Sequence, residues 1–235
     1  MSQRSVGIFN NKTLYRSQNI RMQALILGNG VSRKGLEYRH KDLFVFGCNA
    51  AYRDTDIDGL VCVDIAMQHE VYCTGYAKEK PCYFSEWSPI EAEWYNPLYS
   101  AFSMGKTTKP RVIENKPTDR FVMRGIDDSN SLIVTWLDKE DKVESIPDAE
   151  LSSGSMALLI ACEQGYDKIY MAGFDGVGHD NVYYGTPCYE RSQPRAIWIS
   201  EHESIYSRYP NIEFVRVNCQ MMESTSKNVS YTKSI

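Results

Sequence analysis

The sequence lacks a long apolar run, and near its start it lacks the apolar core of a secretory signal. A helix needs about 18 or more consecutive apolar residues to cross a membrane, and no segment approaches that length. Residues 1–21 are polar, with basic side chains but no hydrophobic stretch, and they predict a flexible arm. These absences argue against a membrane span and predict a cytoplasmic protein.

Paired cysteines are also lacking. Seven cysteines are present, an odd number, and neither a C-x-x-C pair nor another zinc-ligand spacing occurs among them. Cys48, Cys62 and Cys219 lie in or beside apolar segments that are typical of strands. The pattern predicts free thiols in a reducing compartment and no metal site.

An excess of positive charge is lacking too. The 26 Lys and Arg residues are outnumbered by 30 Asp and Glu residues, which gives a net charge of −4. Proteins that bind duplex nucleic acid are usually basic, so such a partner is not expected. With 43% hydrophobic residues, the 235 residues suffice for one large α/β domain with a buried core.

What the chain does contain is an alternation of short apolar segments with helical patterns, which is typical of a parallel sheet flanked by helices. The predicted strands are 24–27, 43–47, 59–64, 82–84, 168–172 and 212–217. The predicted helices are 32–38, 66–76, 153–164 and 196–208. The expected fold is a Rossmann-like α/β domain, with a mostly parallel sheet and helices on both faces.

Residues 85–150 interrupt this alternation. They predict an inserted helix and then a β-hairpin, with strands at 120–124 and 131–137, and we expect this insertion to cover the site as a lid. The predicted divisions of the chain are an N-terminal arm at 1–21, one domain at 22–220 that includes the insertion, and a polar, flexible tail at 221–235.

A glycine-lined turn follows the first predicted strand. Three apolar residues lead into Gly28, Asn29 and Gly30, and Ser32 is placed to cap a helix. Bare amide groups and a helix dipole at such a turn suit a phosphate, whereas the alternative is a tight turn that needs glycine at positive φ. The third glycine of a dinucleotide fingerprint and the lysine of a Walker loop are both missing, which disfavours those two classes.

Candidate ligand-binding residues stand at the ends of two further predicted strands and at the start of a predicted helix. Asn49 ends the second strand and suits a nucleobase edge or a sugar hydroxyl, while Asp64 ends the third and suits a ribose, Mg²⁺ or a general base. Ser153 and Gly154 open a helix and suit an anion. Because ligands bind at the carboxyl edge of such sheets, we expect these residues to line one pocket with the glycine turn. The alternatives are ordinary turn and capping roles.

A loop rich in tyrosine follows the predicted strand 168–172, and its length suits a lid. Tyrosine hydroxyls can bond phosphate oxygens, and a histidine at the mouth of the site is a candidate general base. The alternative is a surface loop whose aromatic residues have no function. The residues of interest in this loop are Asp175, His179, Asp180, Tyr183, Tyr184 and Tyr189.

Two blocks of the sequence resemble the Rossmann-like bacterial sialyltransferases that use CMP-sialic acid, and the same domain occurs in the archaeal 6-hydroxymethylpterin pyrophosphokinases. The first block is Gly-Asn-Gly-Val-Ser at 28–32, together with the strand that ends at Asn49. The second and more specific block is Ser-Ser-Gly at 152–154, then a helix, Gly-Tyr at 165–166, and Gly-Phe-Asp at 173–175. The resemblance covers residues 24–65 and 150–217.

The resemblance implies a glycosyltransferase-like enzyme that binds a nucleotide-sugar, with a CMP-sugar favoured, and transfers the sugar to an unidentified acceptor. It implies that the nucleotide-binding residues are Gly28, Asn29, Gly30, Ser32, Asn49, Ser153, Gly154, Tyr183 and Tyr184. The catalytic histidine of the family is missing, because the matching segment 191–195 reads Arg-Ser-Gln-Pro-Arg. His179 and Asp64 are therefore the candidate catalytic residues, and His202 is expected on a solvated helix face.

Two other functions stay open. A pyrophosphokinase-like phosphotransferase would use Asp64 and Asp175 to hold Mg²⁺ between ATP phosphates, whereas the transferase needs no cofactor. A non-catalytic nucleotide-binding module would keep the fold without the base. The sequence is also compatible with a homo-oligomer.

Overall fold

The computed structural model describes residues 22–39, 42–85, 88–89, 111–112, 121–126, 132–136, 141–146, 150–175, 181–189, 196–218 and 224–235. The strands are β1 (Gln23–Leu27), β2 (Phe44–Cys48), β3 (Gly59–Cys62), β4 (Cys82–Ser85), β5 (Ser88–Pro89), β6 (Arg111–Val112), β7 (Phe121–Ile126), β8 (Leu132–Trp136), β9 (Val143–Ile146), β10 (Lys168–Ala172), β11 (Glu213–Val217) and β12 (Val229–Thr232). The α-helices are α1 (Ile65–Cys73), α2 (Tyr76–Glu79), α3 (Ser153–Glu163) and α4 (Ala196–Arg208).

Eight of these strands form one sheet in the order β12-β11-β10-β1-β2-β3-β4-β9, and every neighbouring pair is parallel. The predicted α/β fold is confirmed. From β1 the chain builds the sheet in one direction through β2, β3, β4 and β9, and then returns to the other side of β1 through β10. The switch point of the sheet therefore lies between β1 and β10, where open α/β sheets bind ligands at their carboxyl edge.

Apolar side chains are buried on both faces of the sheet. Ala24 and Ile26 of β1 share one core with Leu158 of α3 and Ile205 of α4. Leu25 and Leu27 of β1 point to the opposite face and share a second core, to which α1 contributes Met67 and Val71. A strand that is covered on both sides has no need of polar alternation, which explains the continuous apolar runs in the sequence.

The insertion after β4 contains the predicted hairpin. Strands β7 and β8 pair antiparallel in a separate four-stranded sheet of order β5-β7-β8-β6. The inserted helix lies outside the described residues, and the role of the segment as a lid stays a prediction. Its predicted end at residue 150 is wrong, because β9 pairs with β4 at the edge of the main sheet. The short polar sequence around Val143 and Ile146 gave this strand no clear period.

The C-terminal segment is also part of the main sheet. Strand β12 pairs with β11, so the expectation of a flexible tail over 221–235 is wrong for residues 229–232. The side-chain amide of Asn228 fastens the start of this strand by donating to the carbonyls of Tyr206, Tyr209 and Ile212 at 3.1–3.2 Å. An edge strand with one solvated side can be polar, and for that reason the polar sequence of this segment was interpreted as a flexible tail.

Three predicted elements have different bounds. The helix expected at 32–38 is a single 3₁₀ turn, Val31–Arg33, because the backbone turns extended at Lys34 and left-handed at Gly35. Gly75, with φ 75°, separates α1 from α2, and β3 ends at Cys62, before Asp64. Among the described residues, none of the helices has both the length and the apolar character that crossing a membrane demands.

Candidate functional site

The glycine turn after β1 packs directly on the turn after β10. The amide of Gly28 donates to the carbonyl of Ala172, and the amide of Gly30 donates to that of Gly173, both at 2.8 Å. A Cβ atom at Gly28 would lie 2.5 Å from the Gly173 oxygen, and one at Gly30 would overlap the carboxylate of Asp175. Gly30 has φ −70°, which any residue adopts. Close approach therefore requires glycine here, and the alternative of a positive φ is wrong for Gly30.

The carboxylate of Asp175 occupies the position at which an anion was expected. Its Oδ2 accepts a hydrogen bond from the backbone amide of Ser32 at 2.9 Å, in a buried position. The amides of Gly28, Gly30 and Ser32 thus have acceptors within the protein, so these three are not the bare amides that were expected there. Ser32 also caps no helix, since it lies inside the 3₁₀ turn. This turn joins β1 to β10, and its role in binding phosphate stays a prediction.

Asn49, Asp64 and Ser153 meet at the carboxyl edge of the sheet, and we call them the Asn49 cluster. Ser153 Oγ donates to Asn49 Oδ1 at 2.6 Å, and Asn49 Nδ2 donates to Asp64 Oδ2 at 2.7 Å. The Ser153 hydroxyl in turn accepts the backbone amide of Val63 at 3.0 Å. The chain positions of Asn49 and Ser153 differ by 104, so the fold alone brings them together.

The backbone at Asn49 fits both its place in the cluster and the turn role that was the alternative. Asn49 has φ 50°, in the left-handed region that asparagine tolerates better than most residues. Asp64 occupies the N-cap position of α1 without capping it, because its carboxylate accepts from Asn49 instead. Asp64 is accessible to solvent. The surrounding protein nevertheless displaces part of the water around its carboxylate, and this desolvation raises the pKa of Asp64. The hydrogen bond from Asn49 only partly offsets that rise.

The amino terminus of α3 adds hydrogen-bond donors to the cluster. Ser152, not Ser153 as expected, is the N-cap, and its hydroxyl donates to Glu201 of α4 at 2.7 Å. Ser153 is the first helical residue, which frees its side chain for Asn49. In the part of the chain that the structure describes, the amides of Ser153 and Gly154 have no acceptor. A Cβ at Gly154 would lie 2.5 Å from the ring of Phe174, so packing requires glycine there.

Asn29 and Tyr189 form the side of the site next to β1. Asn29 Nδ2 donates to the carbonyl of Cys48 at 3.1 Å and to the hydroxyl of Tyr189 at 3.3 Å. Asn29 Oδ1 is buried and has no hydrogen-bond partner in the part of the chain that the structure describes. Burial and the charge of Asp64 contribute to raising the pKa of Tyr189, so its hydroxyl stays protonated. The tyrosine content was the only sequence signal that indicated the loop of Tyr189. The resemblance did not assign a nucleotide-binding role to this residue.

The two tyrosines that the resemblance selects do not contact the Asn49 cluster in the part of the chain that the structure describes, although the ring of Tyr183 lies 5.9 Å from that of Tyr189. The Tyr183 hydroxyl bonds to Arg33 and to Asp54, neither of which belongs to the Asn49 cluster. Tyr184 is 52% exposed. His179, the first candidate base, and the segment 191–195 lie outside the described residues.

His202 is buried rather than solvated, which corrects the expectation for its helix. Its ring packs at 5.1 Å from that of Phe174, and neither ring nitrogen has a hydrogen-bond partner among the described residues. Burial lowers the pKa of His202 to about 3, with Arg216 adding to the effect. The imidazole is therefore neutral.

The described residues contain no group of three or more His, Cys, Asp and Glu side chains that could hold a metal ion. Asp64 and Asp175, which the magnesium alternative requires, instead bond to Asn49 and to Ser32. Comparisons of the chain with family models, with curated proteins and with solved structures give no match.

Proposed function

We propose that this chain is a glycosyltransferase-like enzyme that binds a nucleotide-sugar where β1, β2 and β3 end. The observation that carries the proposal is the Asn49 cluster. It consists of an amide, a carboxylate and a hydroxyl from three separate elements, and left-handed backbone holds the amide in place.

The chemistry of the cluster suits a nucleoside better than a bare triphosphate. Asn49, Ser153 and Asn29 provide amide and hydroxyl groups, which match the donors and acceptors of a base edge and of sugar hydroxyls. The two nearby arginines of the described residues, Arg33 and Arg53, are already paired with Asp54 and with Glu70. Asn29 Oδ1 is a buried acceptor without a partner among the described residues, and such a group favours a ligand that supplies a donor.

The phosphate of the nucleotide belongs, on this proposal, at the amino terminus of α3. The unpartnered amides of Ser153 and Gly154 and the helix dipole favour an anion there. Tyr189 stays protonated and can donate to a phosphate oxygen. A CMP-sugar is the first candidate, since the two matching sequence blocks resemble enzymes that use one.

Asp64 is the proposed general base, and His179 is a second candidate whose surroundings are not described. The Asp64 carboxylate is accessible to solvent, and its raised pKa makes it a better proton acceptor than an ordinary aspartate. The acceptor hydroxyl would lose its proton to Asp64 as its oxygen bonds to the anomeric carbon. The bond from that carbon to the phosphate oxygen breaks, and the nucleoside monophosphate leaves with the electron pair.

The proposed enzyme works in a reducing compartment such as the cytoplasm. All six cysteines in the described residues are free thiols, and four of them are buried. Secreted proteins of comparable cysteine content usually pair such residues in disulfides. The acceptor is a hydroxyl-bearing molecule, and the proposal specifies no further partner.

Thermal unfolding of the protein with CMP, UMP, GDP or ATP, each with and without Mg²⁺, tests the proposal. A ligand at 100 times its Kd stabilises by about 2.7 kcal/mol, which is easily measured. We expect CMP to raise the Tm without Mg²⁺. Stabilisation by ATP only with Mg²⁺ would favour the phosphotransferase, and no stabilisation by any of the four nucleotides would refute nucleotide binding.

A further inference from the structure

Residues 181–189, which we call the tyrosine loop, are held against the body of the domain by two arginines. The loop follows β10 and ends at Tyr189, whose hydroxyl reaches Asn29. At its other end, the Val182 amide donates to the Asn29 carbonyl at 2.8 Å. Both ends of the loop therefore contact the residue that borders the proposed nucleotide site.

Arg53 ties the middle of the tyrosine loop to α1. Its Nε and one terminal nitrogen bond to both carboxylate oxygens of Glu70, at 2.7 and 2.6 Å. The same guanidinium donates to Thr186 Oγ1 at 3.0 Å and to the Pro187 carbonyl at 3.1 Å. Burial would raise the pKa of Glu70, but the bonds from Arg53 and Tyr52 lower it below its ordinary value. The carboxylate is thus ionised and fixes the guanidinium plane.

Arg33 holds the first half of the loop through Tyr183. Its guanidinium bonds to the Tyr183 hydroxyl, and both groups bond to Asp54. The guanidinium carbon lies 5.2 Å from the centre of the Tyr183 ring, and that of Arg53 lies 5.7 Å from it. The Tyr183 ring is therefore in contact range of two cations and anchors the loop.

We infer that Arg53 is a positioning residue, which sets the affinity for the nucleotide by holding the tyrosine loop so that Tyr189 stays against Asn29. Arg53 does not touch the ligand itself and acts through Thr186, Pro187 and Tyr189. The inference rests on the proposed function for the identity of the ligand, whereas the hold on the loop can be measured without any ligand.

Hydrogen exchange in the free protein measures how strongly Arg53 stabilises the closed position of the tyrosine loop. The amides of Val182, Gly185 and Tyr189 are bonded to the carbonyls of Asn29, Tyr189 and Thr186. In Arg53→Gln these amides should exchange about tenfold faster or more, because opening of the loop no longer breaks the arginine's bonds. Amides of α3 should keep their rates. Arg53→Lys should behave similarly, since an ammonium cannot bond Glu70 at two points and reach the loop as well.

Arg39→Gln is the matched control. Arg39 also forms ion pairs, with the carboxylates of Asp56 and Asp58, but it has no hydrogen bond to the tyrosine loop. The loop amides should exchange in this variant at the rate of the unchanged protein. Equal exchange in Arg53→Gln, or in Arg53→Lys where the glutamine variant does not fold, would overturn the inference.

The affinity for CMP tests whether Arg53 acts through Tyr189. Arg53→Gln and Tyr189→Phe should each raise the Kd about tenfold, which is the scale of one lost hydrogen bond. The double variant should also show a Kd raised about tenfold and no more, because without the Tyr189 hydroxyl the loop that Arg53 positions no longer carries the group that binds CMP. A hundredfold rise would overturn the route through Tyr189. If the unchanged protein does not bind CMP, the proposed function fails, and the exchange rates still decide whether Arg53 holds the loop.

Discussion

Asn49 is the residue at which three parts of the chain are joined. It accepts from the helix α3 through Ser153 and donates to the start of α1 through Asp64. Asparagine is suited to this position for two reasons, its tolerance of left-handed backbone and its ability to donate and accept at once. A residue with only one of these properties would not form both the hydrogen bond with Ser153 and the hydrogen bond with Asp64.

Asp64→Asn tests the base at the residue scale. The amide oxygen can still accept the Asn49 hydrogen bond, so affinity for CMP should change little. Turnover of a CMP-sugar, measured as CMP release with an acceptor, should fall about 10²–10⁴-fold, because the amide cannot take a proton. Asp56→Asn removes an equivalent charge from the surface pair with Arg39 and should keep full turnover. Full turnover in Asp64→Asn would remove Asp64 from the mechanism.

Gly30→Ala tests why glycine follows β1. The new methyl group would overlap the Asp175 carboxylate and lie 2.6 Å from the Gly173 carbonyl, so unfolding should become easier by about 1–3 kcal/mol. Gly59→Ala is the control, since its Cβ meets nothing closer than 3.4 Å and should be neutral or stabilising. Denaturant unfolding measures both. Equal stability of the two variants would show that the turns of β1 and β10 are not tightly packed.

At the scale of elements, the last strand depends on one side chain. Asn228→Ala removes an amide whose two N–H groups are shared among the carbonyls of Tyr206, Tyr209 and Ile212, and it should lower the free energy of unfolding by about 2 kcal/mol. Asn211→Ala, in an exposed turn nearby, should stay within about 0.5 kcal/mol of the parent protein. A negligible loss in Asn228→Ala would mean that β12 adds nothing to the stability of the sheet.

The elements that the sequence predicts well are those buried on both sides. Strands β1, β2, β10 and β11 lie within one residue of their predicted bounds. A short, continuous apolar run between turn residues is typical of a buried strand, which is why these bounds could be predicted. The edge strands β9 and β12 were missed, since one open side removes the apolar signal. The helix at 32–38 failed for another reason: seven residues cannot nucleate a helix without tertiary contacts, and Gly35 turns the chain.

At the scale of the whole molecule, the sheet order explains why the candidate site could be predicted only in part. Residues after β1, β2 and β3 and at the start of α3 do converge, as the carboxyl-edge rule predicts. Pairings across the sheet carry no sequence signal, so the contact of Ser32 with Asp175 was not foreseen. The resemblance likewise could not distinguish Tyr189 from Tyr183, because the fold of the tyrosine loop decides which hydroxyl reaches Asn29.

The pH dependence of overall stability tests the buried His202. Its folded pKa, about 3, lies below its ordinary value of 6.5, so the unfolded chain binds the proton more readily. Stability should therefore fall as the pH drops below about 6.5, by about 2 kcal/mol between pH 7 and pH 5. His202→Met should remove that part of the slope. Unfolding curves that shift equally with pH in both proteins would contradict a neutral, buried imidazole.

Calorimetric titration of CMP into Asn49→Ala tests the central claim most directly. The variant should bind CMP at least about tenfold more weakly, because the amide is the centre of the proposed nucleotide site. Asn218→Ala is the matched control: Asn218 also has left-handed backbone, with φ 47°, but its amide bonds to the Ser32 carbonyl. Both variants should lose similar stability, while only Asn49→Ala loses affinity. Unchanged affinity in Asn49→Ala would contradict a nucleotide site at this edge of the sheet.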